Sequence, residues 1–469
     1  MLVALLPAFQ GARADGNVAR AIWCSGNTTL YFDYCATVTV GSTYNEKTVT
    51  AVYNVPTDTY ADYFPGWSAV HGNATTVVFK AAFNSFKPLS CYGWFNQFTQ
   101  LTSVEGLANL NTSEVTNMDF MFDSCSSLAT LDVSTFDVSN VSTATSMFFN
   151  CSNLTTIYCN KAWNIASASS MFFGATKLRG YDEHYVTGTM ASPAGYFTAT
   201  QTLPLNYNTS NETTISDWVT NHKNEYANVT LSGHTLFKDG KWNTLCLPFS
   251  MNSKQIAESP LKDATIKKLD VDGTYLDNEN NGLQTGFDSK TGTLYLYFME
   301  ASSIEAGKPY IVKWGNAEKI VSPVFNNVSI DNTASTTVTA SNSDLNSVQF
   351  IGNYSPVTLT GGDASNLYLG AENKLYYPAK GNGVTINAFH GYFHVDLGTK
   401  APVRAFVLNF DDEENTTGII STTNVQMEAS GKAEFTNSAG NGWYTLDGRQ
   451  LGGMPNKGIY IYKGRIVIR

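Results

Sequence analysis

Four paired anchors constrain this chain more than anything else in it. Trp94-Phe95, Met121-Phe122, Met147-Phe148 and Met171-Phe172 recur at spacings of 27, 26 and 24, and a leucine follows each pair six residues later, at 101, 128, 154 and 178. Repetition at a fixed period of this length marks a stacked-repeat architecture, because one unit cannot bury its apolar face alone and must hand it to the next. Between the anchors run LTSVEGLANLNTSEVTNMDFMFDSCSS, LATLDVSTFDVSNVSTATSMFFNCSN and LTTIYCNKAWNIASASSMFFGATK. Each reads as one LxxLxV-type strand, a polar turn and a short apolar coil. Stacking such strands ~4.8 Å apart turns Leu128, Leu131 and Val133 inward and Thr130 and Asp132 outward. By register the outward ladder is Ser103, Thr130 and Thr156 beside Glu105, Asp132 and Tyr158, a row of hydrogen-bonding groups with one aromatic.

The strings LDVSTFDVSNVS and SMFFNCSNLTTIYCN, with the closing sequence YDEHYVTGTMASPAGYFTA from Tyr181 to Ala199, resemble the BspA-like leucine-rich repeats of surface proteins from anaerobic gut and oral bacteria. The third unit departs by carrying Ala175 where Cys125 and Cys151 stand before it, and the first by carrying Phe98. The cysteine row therefore reads as core packing. The resemblance implies a non-catalytic adhesin that presents its repeat face to a host or neighbouring-cell macromolecule.

Composition agrees with β-rich, packed domains. Of 469 residues 43% are hydrophobic and 13% aromatic, while only 14% are charged, against ~25% in an average soluble chain. Surface polarity is thus amide and hydroxyl. A net charge of −10 gives no basic field to collect phosphates, so nucleic acid is excluded as a natural partner. The expected fold class is mainly β: a short solenoid of strand plus short helical coil, then β-sandwich domains and a small C-terminal β domain.

The expected organisation begins with a signal peptide remnant over 1–14, where the apolar run Leu2 to Phe9 meets an Ala12-Arg13-Ala14 site. An N-terminal β capping module follows over 15–72, since a solenoid needs a polar-faced cap, and the repeats occupy 73–200. Residues 201–412 carry short β-branched runs between turn signals and read as one or two sandwich domains. Strand candidates are 228–237, 242–249, 293–299, 308–314, 348–354 and 404–410, with no persistent helical period. The strings KWNTLCLPF and NLYLGAENKLYYP also resemble an uncharacterised β region that follows BspA-like repeats. A linker is expected over 413–425, next to the acidic run Asp411 to Glu414, because like charges gain little from burial. The last stretch, 426–469, ending GWYTLDGRQLGGMPNKGIYIYKGRIVIR, resembles the C-terminal sorting domains of type IX secretion substrates, which implies secretion and attachment outside the outer membrane.

No chemistry is written in the usual motifs. G-x-S-x-G, P-loop, H-E-x-x-H and Rossmann glycine patterns are absent, so neither an enzyme nor a cofactor is expected. Seven cysteines without C-x-x-C spacing make neither a zinc site nor a complete disulfide framework. A turn at Ser25 to Thr28 sets Cys24 opposite Thr29, which leaves Cys35 far down the strand. His390 and His394 share one strand face ~13 Å apart, too far to chelate together. A weak calcium pattern places Asp277, Glu279, Asn281 and Asp288 at loop positions 1, 3, 5 and 12, with Asp replacing the bidentate Glu. No apolar stretch reaches the ~18 residues that cross a bilayer. The expected partner is an extracellular protein or glycan, and the alternative to the adhesin is a carbohydrate-binding surface protein using Tyr and Trp platforms of the C-terminal sandwich.

Overall fold

The structure, a computed structural model, describes residues 16–26, 28–56, 64–273, 275–276, 282–341, 345–370, 373–381, 383–396, 403 and 405–409, together with strands at 416–419, 443–445, 450–451, 459–462 and 465–468. The expected leader lies outside the described residues. The chain is mainly β, with 35% strand against 9% helix. It divides into two compact units, the first built of 1–202 with 224–228 and 326–328, the second of the remainder.

In the first unit β1 (Val18–Cys24) and β2 (Thr29–Cys35) form an antiparallel hairpin whose register runs from Val18 opposite Cys35 to Trp23 opposite Leu30. Strands β3 (Thr43–Tyr44) and β4 (Lys47–Asn54) extend it beyond β1. On the other side, β5 (Thr76–Phe79) pairs parallel with β2, and β6 (Ser103–Glu105) pairs parallel with β5. Strands β1 to β4, from the stretch expected to form the cap, are therefore continuous in one six-stranded sheet with β5 and β6 of the repeat region. One repeat-like strand precedes those read from the sequence: Thr76 lies opposite Ser103, 27 positions on. Its TVVFKAAF lacks the Met-Phe pair that marks the later units.

Strands β7 (Thr130–Asp132), β8 (Thr156–Tyr158) and β9 (Phe197–Thr198) make a separate parallel sheet, with Thr130 opposite Thr156 and Ile157 opposite Phe197. A second ladder runs through the coils. The Phe95 N–H donates to the Met121 carbonyl, Phe122 to Met147 and Phe148 to Met171, each at 2.9 Å. Isolated parallel bridges join Ser90, Asn117, Thr143 and Ser167 in the same order. These coils are successions of turns rather than the expected helical pieces; short 3-10 segments occur at Ala81–Ser85, Leu107–Asn109 and Gly188–Met190, outside the stacked coils. The reason lies in the backbone. Gln97, Ser124, Asn150 and Gly174 occupy the same place in successive units, all with φ between 53° and 80°, and a residue there ends a right-handed turn.

Beneath both ladders sits one core. Phe95, Phe122, Phe148 and Phe172 are each 0% exposed and stack with ring centroids 5.3, 5.9 and 5.6 Å apart, and the four leucines of the repeat are buried beside them. Cys125 and Cys151 lie in the same core, their thiols donating to the carbonyls of Phe95 and Phe122. Burial pushes the Cys151 thiol up to about 12 and Cys125 well above its ordinary value. All seven cysteines are free and only Cys35 is not buried. Native protein is accordingly expected to give one fast-reacting thiol with a disulfide reagent and six more only after unfolding; two or more fast thiols would contradict this burial pattern.

The second unit holds two larger sheets. One orders Asn243–Cys246, Pro309–Lys313, Thr265–Leu269, Thr293–Glu300, Ala405–Asn409 and Thr416–Ile419, with Gly286–Asp288 also pairing Thr293–Glu300. The other orders Thr337–Ala340, Val348–Gly352, Gly391–Val395, Asn366–Leu369 and Leu375–Tyr376. Their inward side chains, among them Leu296, Phe298, Ile311, Phe350 and Phe393, share one hydrophobic core. Every strand candidate from the sequence falls on an observed strand. Two features differ. Residues Glu212–Asn221 form a helix, burying Ile215 and Trp218 three positions apart, a face too short to show as a period. Within the expected linker, Thr416–Ile419 pairs antiparallel with Ala405–Asn409, since a β-branched TTGI run fits a sheet edge better than a free tether.

Candidate functional site

The six ladder residues do not all meet. Thr130 lies opposite Thr156 and Asp132 opposite Tyr158 in the parallel pair β7/β8, whereas Ser103 and Glu105 stand in register with Thr76 and Val78 of β5. No strand pairing joins β6 to β7 among the described residues. The sequence register assumed an unbroken ladder; the chain instead leaves β6 at Gly106, whose φ of 65° starts the turn into Leu107–Asn109. A side chain at Gly106 would collide with the Phe79 carbonyl, so this exit is built for glycine.

Thr130 and Asp132 are exposed, Thr156 and Tyr158 half-buried, and Leu131 and Ile157 between them are buried. The alternation expected of an outward row is therefore present on this pair of strands. One Asp132 carboxylate oxygen accepts the Ser134 N–H at 2.9 Å, which fixes the turn that follows. Asp137 repeats the device five positions on, and hydrogen bonds from the Ser139 hydroxyl and N–H hold its carboxyl below the usual range. Two surfaces went unread in the sequence. Asp119 accepts from Thr143 Oγ1 and the Thr145 N–H of the next unit, both at 2.6 Å. On the coil side, Phe149 stacks on Phe173 at 5.3 Å with Phe173 45% exposed, a second outward row signalled by the doubled aromatic in MFF.

Of the calcium pattern, Asp277, Glu279 and Asn281 lie outside the described residues. Asp288 is described, and its carboxylate closes a hairpin turn by accepting the Lys290 N–H and the Thr291 hydroxyl. Among the described residues no three His, Cys, Asp or Glu side chains converge as a metal site. His390 and His394 differ in partner as well as position: His394 Nδ1 meets Asn366 Oδ1 at 3.0 Å, while the half-buried His390 sets its Nδ1 2.8 Å from the Thr244 carbonyl oxygen. Among the described residues no helix is long and apolar enough to cross a membrane.

Comparison with known proteins touches most of the repeat region and the first residues of the second unit. Residues 89–212 match the family model described as "Mycoplasma protein of unknown function, DUF285". No curated protein and no solved structure gives a significant match. The part of the chain similar to that family is thus the part carrying the stacked coils and the β7/β8 face.

Proposed function

We propose that this chain is a non-catalytic binding protein acting outside the cell, an adhesin in which a short leucine-rich-repeat solenoid offers its strand face to a host or neighbouring-cell macromolecule. The observation that carries the reading is the parallel register of Thr130 with Thr156 and Asp132 with Tyr158 over a fully buried row. Such a face is rigid, because two ladders and a stacked core hold it, and its chemistry is neutral to acidic hydrogen bonding around one aromatic ring. The export half of the reading rests on the N-terminal apolar run and on the resemblance of 426–469 to sorting domains. A face of two or three short strands is small, so one copy binds modestly and display of many copies supplies the avidity.

The rival reading needs aromatic platforms on the β-sandwich of the second unit. Among the residues of that unit whose side chains are described, no Tyr or Trp is exposed, which favours the repeat face. Because the first unit also includes 224–228 and 326–328, the test uses the full chain. Wild type and the Asp132→Arg, Tyr158→Ala double variant are screened against extracellular-matrix proteins and a glycan array. Wild-type binding to a protein, weakened at least ~10-fold in the variant, about 1.4 kcal/mol, is the expected result. Equal binding by both, or binding to glycans alone, overturns it.

A further inference from the structure

Three side chains far apart in the sequence meet in the second unit, His234 buried and Tyr207 and His390 half-buried. His390 Nδ1 lies 2.8 Å from the Thr244 carbonyl oxygen. A carbonyl only accepts, so Nδ1 carries the proton and Nε2 keeps its lone pair. That Nε2 faces the Tyr207 hydroxyl at 3.4 Å, a long contact. Beside them His234 is 2% exposed, and neither of its ring nitrogens has a hydrogen-bond partner. A neutral imidazole has one donor and one acceptor to satisfy, and leaving both bare in a core is expensive. The ring centroids lie 5.0 Å apart for His234 and His390, 5.1 Å for Tyr207 and His234, and 5.8 Å for Tyr207 and His390.

The 5.0 Å between the two imidazoles fits a known chemistry. Two imidazoles on one tetrahedral zinc, with Zn–N near 2.0 Å, place their ring centres about 5.2 Å apart. A backbone carbonyl holding the far nitrogen of a ligand histidine is the usual way a protein orients such a ligand, and Thr244 stands in that position toward His390. We propose that Tyr207, His234 and His390 form a site for a zinc-class divalent cation, with one nitrogen from each imidazole and the Tyr207 oxygen as ligands and water completing the set. The cation would tie the segment after Thr202–Asn206, the turn at His234 and the start of Gly391–Val395 to one point. This site is independent of the repeat face.

Full-length protein is stripped with chelator, dialysed, and titrated with Co²⁺ and Zn²⁺, both in the native state and during refolding, since a residue 2% exposed is most readily ligated as the unit folds. One Co²⁺ per chain by either route, with the strong visible absorption of tetrahedral cobalt abolished by Zn²⁺, is the expected result. His234→Gln should weaken binding at least ~30-fold, whereas His394→Gln should bind as wild type. If His234→Gln does not fold, Tyr207→Phe is read instead with Cu²⁺, whose phenolate charge-transfer band should appear in wild type and vanish in the variant. Failure of wild type to take up one metal by either route, wild-type affinity in His234→Gln, or a charge-transfer band persisting in Tyr207→Phe overturns the site.

Discussion

Replacing Phe148 by alanine is expected to lower the stability of the first unit by about 4 kcal/mol. The ring is 0% exposed and lies between Phe122 and Phe172, nearly parallel to both at interplanar angles of 7° and 13°. Its removal leaves a void bounded by two flat faces that cannot tilt together without disturbing the units above and below, so little of the cavity term is recovered by collapse. Phe149, the next residue, is the control: it points outward, half-buried against Phe173, and Phe149→Ala should cost under about 1 kcal/mol. Because the chain has two units, a single unfolding midpoint would blur the effect. Hydrogen exchange resolves it at the Phe122 and Phe148 amides, which donate to Met147 and Met171. Equal loss of protection in the two variants would show that the stack does not carry the core.

The aromatic row could be read because identical positions in successive units fill identical layers, so the spacing of Met-Phe pairs in the sequence is the spacing of rings in the stack. Thr76–Phe79 escaped because it shares the strand pattern of the units but not their marker pair; the 27-residue offset from Val77 to Val104 was the available signal. The coil conformation was not legible at all. Gly174 and Asn150 are ordinary left-handed residues, but Gln97 and Phe120 adopt positive φ too, and nothing in their chemistry announces it. There the stacked neighbours, not local preference, set the backbone.

The candidate face was half legible. Alternation along one strand is local and fixed Thr130 and Asp132 as outward, yet which strands pair depends on where each chain segment turns away, and Gly106 broke the row between Glu105 and Thr130. His390 illustrates the opposite limit. Its sequence neighbour His394 invited comparison and proved irrelevant, while the residue it meets, His234, belongs to a separate turn that only the tertiary fold brings near. Pattern reading recovers contacts that repeat or alternate; single long-range encounters leave no period to find.

One such encounter yields the second large effect. Gly352 ends the strand Val348–Gly352 opposite Gly391, and a Cβ built there would run into the Cys246 sulfur and stand 2.8 Å from the Cys246 Cβ. Its φ lies outside the left-handed region, so alanine suits the backbone and only space forbids it. Gly352→Ala is expected to cost about 3 kcal/mol, the upper range for overpacking, because Cys246 is 0% exposed, its N–H is bonded to the Phe389 carbonyl and it has nowhere to retreat. Cys246→Gly removes both clashing atoms. In that background the same Gly352→Ala change should be close to neutral, the added methyl filling part of the space the thiol left. A double-mutant cycle in urea, followed through the second unit, should therefore show a coupling of at least about 2 kcal/mol. Additive losses would mean that the strand itself, rather than the thiol across from it, requires glycine at 352.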